Sequence, residues 1–149
     1  MRAILQRVSQ ANVKVDNEVV GSIGHGLVVY VGVHLDDTLE DAKKLAYKIA
    51  NARVFEDDQG KMNLSVMDVN GEVLSISQFT LYGETKKGHR RSYDKAARPE
   101  PANLLYEAFN TELRENVSVK TGIFQAHMII DQTNDGPVTL VYETSEPNL

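Results

Sequence analysis

The run Leu27-Val28-Val29-Tyr30-Val31-Gly32-Val33 restricts the fold more than any other part of the chain, because it offers no polar side to water. An apolar run of this length, entered through Gly24-His25-Gly26, reads as a strand covered on both faces, so structure must lie above and below it. Upstream, Val13 and Val15 alternate with Asn12 and Lys14, Asp16-Asn17 supplies turn residues, and Val19-Val20 resumes the β-branched pattern. That pattern predicts a hairpin.

From Thr38 the period changes. Leu39, Ala42, Leu45, Ala46, Ile49 and Ala50 recur at three- and four-residue steps, while Glu40, Asp41, Lys43, Lys44 and Lys48 take the other side. This is an amphipathic helix, capped by Asp37 or Thr38 and with acidic residues where the helix dipole favours them. Asp57-Asp58-Gln59-Gly60 and Asn70-Gly71 mark turns, and Leu64-Ser65-Val66 and Glu72 to Ser77 read as strands. Pro99-Glu100-Pro101 introduces a second helix with Leu104, Leu105, Ala108, Phe109 and Leu113 on its apolar stripe. Ile123 to Ile130 and Val138 to Tyr142 are expected to be two closing strands joined by the turn Asn134-Asp135-Gly136-Pro137. The order of elements predicts an α/β fold in which two helices lie on one side of a largely β structure. With no internal repeat or linker, residues 1–149 are expected to form a single domain, with a frayed tail from Thr144 to Leu149.

The chain has no cysteine, which excludes thiolate nucleophiles, disulfides and cysteine zinc sites. Its four histidines show no metal-ligand spacing with a carboxylate, so no metal or cofactor is expected, and they read as surface or packing residues. Apolar runs fall short of the roughly 20 residues of a membrane helix, and the first residues do not resemble a signal region. A cytoplasmic location without membrane partners is the expectation. A net charge of −5 argues against nonspecific adhesion to nucleic acid. Even so, Lys86, Lys87, His89, Arg90, Arg91, Lys95 and Arg98 fall in one segment opposed only by Asp94. That segment has two readings: a solvated loop, or a patch that neutralises a few phosphates of a partner recognised elsewhere.

Two further stretches concentrate the chemistry: Ser77-Gln78-Phe79-Thr80-Leu81-Tyr82-Gly83 at the end of an apolar strand, and Asn134-Asp135-Gly136-Pro137-Val138-Thr139. Taken singly, Ser77 and Thr80 read as strand residues, and Gly136-Pro137 as a turn with the usual trans bond, since only about one X-Pro bond in twenty is cis. Neither stretch resembles a metal cage or a nucleophile elbow.

Together with Gln6-Arg7-Val8, Gly60-Lys61-Met62-Asn63-Leu64, Leu105-Tyr106 and Thr121-Gly122-Ile123-Phe124, these two signatures are similar to those of the bacterial-type D-aminoacyl-tRNA deacylases, long described as D-tyrosyl-tRNA deacylases. The resemblance spans nearly the whole chain. It implies a three-layer β/β/α fold, a homodimer with the active site at the subunit interface, and hydrolysis of the ester between a D-amino acid and tRNA. It assigns Ser77, Gln78, Phe79 and Thr80 to the catalytic segment, with backbone amides near Gln78 and Phe79 as oxyanion donors. Thr80 is left as either a nucleophile or a positioning group. It further implies a cis Gly136-Pro137 unit that reaches into the neighbouring subunit's pocket, with Arg7 anchoring that loop and Phe124 and Met128 packing on the terminal adenine. For Phe124 and Met128 core packing is the competing reading. The sequence departs from the family pattern at Arg91, where a proline is common, and at Gln132, where an apolar residue is usual. Two other classes compete with this reading: a noncatalytic RNA-binding module and a general esterase.

Overall fold

The computed structural model describes residues 1–145, so Glu146 to Leu149 of the expected frayed tail lie outside the described residues. Within them run β1 (Arg2–Val15), β2 (Glu18–Ile23), β3 (Gly26–Gly32), α1 (Leu39–Ala50), β4 (Phe55–Glu56), β5 (Met62–Leu64) and β6 (Glu72–Ser77). A 3-10 turn (Phe79–Tyr82), α2 (Pro99–Arg114), β7 (Ser118–Thr121) and β8 (Ile129–Glu143) complete the order. The first hairpin forms as the sequence predicts, because Asp16 and Asn17 adopt the positive φ of 51° and 65° that a tight β-turn of matching twist needs.

Strand β1 is paired on both edges. β3 and β2 share one edge in one register as far as Val13, with Val8 opposite Gly26 and Ala11 opposite Ile23, while β8 runs antiparallel along the other. β3, β6 and β7 continue the sheet in parallel. Both parallel connections step the same way across the sheet, and the right-handed rule for such crossovers therefore puts α1 and α2 on one face. There they bury Leu27, Val29, Val31 and Val73 against Leu45, Ile49, Leu105 and Phe109. The Tyr106 hydroxyl pins α2 to the sheet by donating to the Ser75 carbonyl at 2.8 Å.

The opposite face of β3 and β6 is closed by the sheet itself. An extra residue on β1, Ser9, shifts the register against β8, and the inward parity changes from Val8 to Ala11 and Val13. The far halves of β1 and β2 thus fold over Val28, Leu74 and Ile76 as a second β layer. Gly21 lies so close to β7 that an added Cβ would stand 2.6 Å from the Thr121 carbonyl oxygen. The three-layer β/β/α fold follows from these two cores.

Several local expectations need correction. Leu104 is exposed, and the buried stripe of α2 is Ala102, Leu105, Tyr106, Phe109 and Leu113. Residues 122–128 are irregular, and one long strand, β8, replaces the two predicted closing strands. Thr144 is buried, not frayed: its hydroxyl and amide bond to the Met1 amine and carbonyl at 2.5 and 2.9 Å.

Gly26 marks the tightest approach in the sheet, since a Cβ there would lie 1.9 Å from the Glu72 carbonyl oxygen, whereas one on Gly24 would meet nothing within 4 Å. Gly26→Ala is expected to destabilise the protein by about 3 kcal/mol through forced separation of β3 and β6. Gly24→Ala should change stability by less than about 0.5 kcal/mol. Urea titration of the two variants measures the contrast.

Candidate active site

Strand β6 delivers Ser77 to the end of the sheet, and the Gln78 amide extends the ladder by donating to the Val31 carbonyl at 2.7 Å. The chain then tightens into the 3-10 turn over Gly32, where a Cβ would stand 3.0 Å from Leu81 Cβ and 3.1 Å from the Gln78 oxygen. Among the described residues the amides of Phe79 and Thr80, which open this turn, donate to no carbonyl. Arg2 holds the far end: its Nη1 donates to the Leu81 carbonyl at 2.7 Å, and its Nε bonds the buried Glu143 carboxylate. Tyr82 donates to the same carboxylate at 3.1 Å, and burial together with the Glu143 charge pushes its phenol well above the usual range, so it stays a donor.

Beside this turn lies a cleft of about 590 Å³. Ser77, Gln78 and Phe79 form one wall, Phe124 and Met128 another, and Ile130 of β8 lines it further in. Phe79 meets Tyr93 edge to face at 4.9 Å, and Phe124 stacks on Tyr106 at 6.3 Å. Phe124 packs on the core, as the competing reading expects, and also lines the cleft. Thr80 is exposed and is not among the lining residues; its hydroxyl accepts from the Gln78 side-chain amide at 2.5 Å. That partner donates a hydrogen bond and offers no base.

Arg7, Gly136 and Pro137 are not brought into this cleft. The predicted turn at Asn134–Pro137 is instead a bulge within β8: Asn134 pairs with Val8 and Thr139 with Gln6, leaving residues 135–138 unpaired opposite Arg7. Asn134 closes its base by accepting the Val138 amide at 3.4 Å. Arg7 is buried, and its guanidinium donates to the Asp135 carbonyl at 3.0 Å and to the Val54 carbonyl at 2.7 Å. Gly136-Pro137 is cis and exposed, and Gly136 has a φ of 139°, a region closed to most L residues. At this level β8 is three strand spacings from β6, about 14 Å across the sheet.

The sequence did not single out Tyr93, Gln125 and His127 for this cleft, and it read Arg98 as part of the basic segment and Pro99 as a helix start; all five also line the cleft. Their positions depend on α2 beginning beside the sheet end and on the irregular segment before β8, and neither leaves a local pattern. His127, expected in a strand, lies in that irregular segment. The basic loop rises next to the cleft, its base closed by the Glu84–Ser92 bridge, and Arg91 lies over the Tyr93 ring at 5.8 Å with Nε donating to its hydroxyl at 3.1 Å.

Residues 4–143 match the family model described as D-Tyr-tRNA(Tyr) deacylase. The chain belongs to this family. A D-aminoacyl-tRNA deacylase from Thermus aquaticus is 56% identical over 147 residues, covering 98% of this chain and 97% of that protein. One from Geobacillus sp. (strain WCH70) is 55% identical over the same length and coverage. Among solved structures, a protein titled c-Myc DNA Unwinding Element Binding Protein superposes with a TM-score of 0.93 at 39% identity, covering 98% of this chain and all of that one, 100%. A probable eukaryotic D-amino acid tRNA deacylase shares the fold with a TM-score of 0.82 at 18% identity, over 95% of this chain and 97% of that one.

In this deacylase-family chain Arg7 is the only side chain among the described residues that grips the Asp135 carbonyl, and it also satisfies a carbonyl at the end of the α1 connection. Arg7→Ala is expected to lower stability by about 2 kcal/mol, the scale of a lost charged hydrogen bond with a buried acceptor left behind. It should also speed hydrogen exchange at the Val138 and Thr139 amides beyond the global change, which mass-resolved exchange detects.

Proposed function

We propose that this protein hydrolyses the ester joining a D-amino acid to the terminal adenosine of tRNA, releasing the free amino acid and reusable tRNA. The observation that carries the reading is a family-wide match joined to a cleft walled by hydroxyl, carboxamide and aromatic groups. An aminoacyl ester is already activated and has a vicinal ribose hydroxyl beside its carbonyl. Orientation and oxyanion stabilisation can then supply several kcal/mol of the barrier without a strong base. The unpartnered Phe79 amide is the stronger oxyanion donor on this reading, because the Gln78 amide is engaged by Val31. Thr80 acts as a positioning group for substrate: its hydroxyl accepts from Gln78, which supports this role over that of a nucleophile. Phe124 and Met128 present an apolar wall to the adenine, and the Lys86 to Arg98 loop beside the cleft meets tRNA phosphates.

One chain leaves this site without Gly136-Pro137, which is exposed and held apart by Arg7. That arrangement supports a homodimer in which each copy lends its Gly-Pro segment to the other's cleft, with the whole chain acting as a single domain in the cytoplasm. A backbone wedge of this kind accepts a D side chain and rejects an L one by steric exclusion. An RNA-binding module accounts for the basic loop but leaves both signatures idle. A general esterase needs a base on its hydroxyl, and Thr80 has an amide there.

Incubation with D- and L-tyrosyl-tRNA separately tests the reading. Hydrolysis of the D ester alone is expected, whereas cleavage of neither or of both overturns it. Glycyl-tRNA, lacking a side chain, should also be cleaved under enzyme excess. Thr80→Ala should keep turnover within about tenfold of wild type, a positioning loss rather than the far larger loss of a nucleophile. Light scattering of the purified protein should give the mass of two chains.

A further inference from the structure

A row of side-chain hydrogen bonds crosses three strands between the inner end of the cleft and the Gly-Pro bulge. The Tyr30 hydroxyl on β3 donates to Gln132 Oε1 at 2.6 Å, Gln132 Nε2 on β8 donates to Gln6 Oε1 at 2.8 Å, and Gln6 Nε2 on β1 donates to Thr139 Oγ1 at 3.2 Å. Gln132 and Thr139 stand on the two arms of the bulge, and Gln6 stands opposite Thr139 on the neighbouring strand. We propose that Gln6, oriented by Gln132 and Tyr30, is a positioning residue that fixes the Gly136-Pro137 segment for chiral discrimination, a role that rests on the proposed reading of that segment.

The row holds Gln6 in one place and one rotamer. Gln132 presents N–H to the Gln6 oxygen, which leaves the other end of the Gln6 amide on Thr139, whose hydroxyl can accept or donate. Tyr30 fixes Gln132 in turn by presenting O–H to its oxygen. Burial pushes the Tyr30 phenol above its ordinary value, so it stays protonated and able to donate at neutral pH. Arg7 grips the segment at Asp135, before the Gly-Pro unit, and Gln6 grips it at Thr139, after it. The two adjacent residues of β1 point to opposite faces of the sheet, so the bulge is held from both sides. The ladder fixes both ends of the bulge, at Asn134 opposite Val8 and Thr139 opposite Gln6, and these two side chains add one contact at each end.

Three variants test the proposal by steady-state kinetics on D- and L-tyrosyl-tRNA, with thermal melting measured alongside. Gln6→Ala removes the contact with Thr139. Tyr30→Phe combined with Gln132→Leu replaces the two orienting groups by apolar ones of similar shape and leaves Gln6 in place but unoriented. For Gln6→Ala the expected result is a rise of about tenfold in KM for the D ester, and a fall of the same size in the D-over-L ratio of kcat/KM, with kcat little changed. For the double variant a change of about threefold in the same direction is expected, without loss of folded protein. Gln6→Glu accepts from Gln132 and from the Thr139 hydroxyl, so it should restore most of the D-over-L ratio. A wild-type ratio in both Gln6→Ala and the double variant, or a lower melting temperature with that ratio unchanged, overturns the proposal alone. If the wild-type protein itself fails to prefer the D ester, the proposal and the reading beneath it both fall.

Discussion

The pairing of β1 along both of its edges is the constraint from which the rest of the molecule follows. β2 and β3 occupy one edge, in one register as far as Val13, and β8 occupies the other from Ile129 to Glu143. A strand hydrogen-bonded on both sides cannot relieve a mismatch by sliding, so every irregularity must appear as a local bulge. One is a shift against β2 between Val13 and Lys14, and the other two lie against β8. The extra residue at Ser9 turns the sheet over its own face and creates the second core, and the four unpaired residues 135–138 push Gly136-Pro137 out from β8. The fold thereby provides a rigid base for a segment of main chain that would otherwise be a loose turn.

The parallel half of the sheet provides the opposite resource. β3 and β6 run side by side, and their carboxyl ends open beside the start of α2, the place where parallel sheets regularly receive ligands. Ser77 and Gln78 reach the cleft because the β3–β6 ladder carries them there, and the chain then leaves through a tight turn whose opening amides have no partner among the described residues. Free amides at a fixed place are suited to a developing negative charge. On the proposed reading, chemistry and stereochemical choice are separated: the turn acts on the ester, and the bulge of a second copy judges the side chain.

Local order was legible where neighbours in sequence are neighbours in space. Asp16-Asn17 announced a hairpin, the switch of period at Thr38 announced α1, and the run from Leu27 announced a strand with cover on both faces. Leu104 was misjudged because its place on the helix stripe is a matter of a few tens of degrees, and the packing of α2 on Ser75 and α1 decided the angle. The Asn134–Pro137 stretch reads as a turn by composition, yet the register imposed by β1 on both sides of it made one strand with a bulge. Gln132, a departure from the usual apolar residue, had no visible reason until Tyr30 and Gln6, far away in sequence, were found at its amide. The cleft residues Tyr93 and Gln125 were missed for the same cause: their neighbours are chosen by the sheet, not by the chain around them.

Glu143 shows how far from the cleft its geometry is decided. A buried carboxylate is costly to desolvate unless it is paired and hydrogen-bonded, and here Arg2 supplies the charge while Tyr82 supplies a second donor. Arg2 also lies over the Tyr82 ring at 4.6 Å and donates to the Leu81 carbonyl. One guanidinium therefore joins the end of β8 to the last residues of the 3-10 turn, and it does so from the first residue of β1. Nearby, the Asp37 carboxylate receives the Met1 amine at 2.7 Å and the His34 amide at 2.6 Å, fixing the chain that follows β3 to the same corner. The turn is thus gripped at its far end by Arg2 of β1 and, through Tyr82, by Glu143 of β8. A lateral shift of β8 against β1 would move Leu81, and with it the amides of Phe79 and Thr80. The same strand pair that displays the Gly-Pro bulge on one side sets the Ser77 to Thr80 segment on the other, so both halves of the proposed site inherit their precision from one antiparallel register.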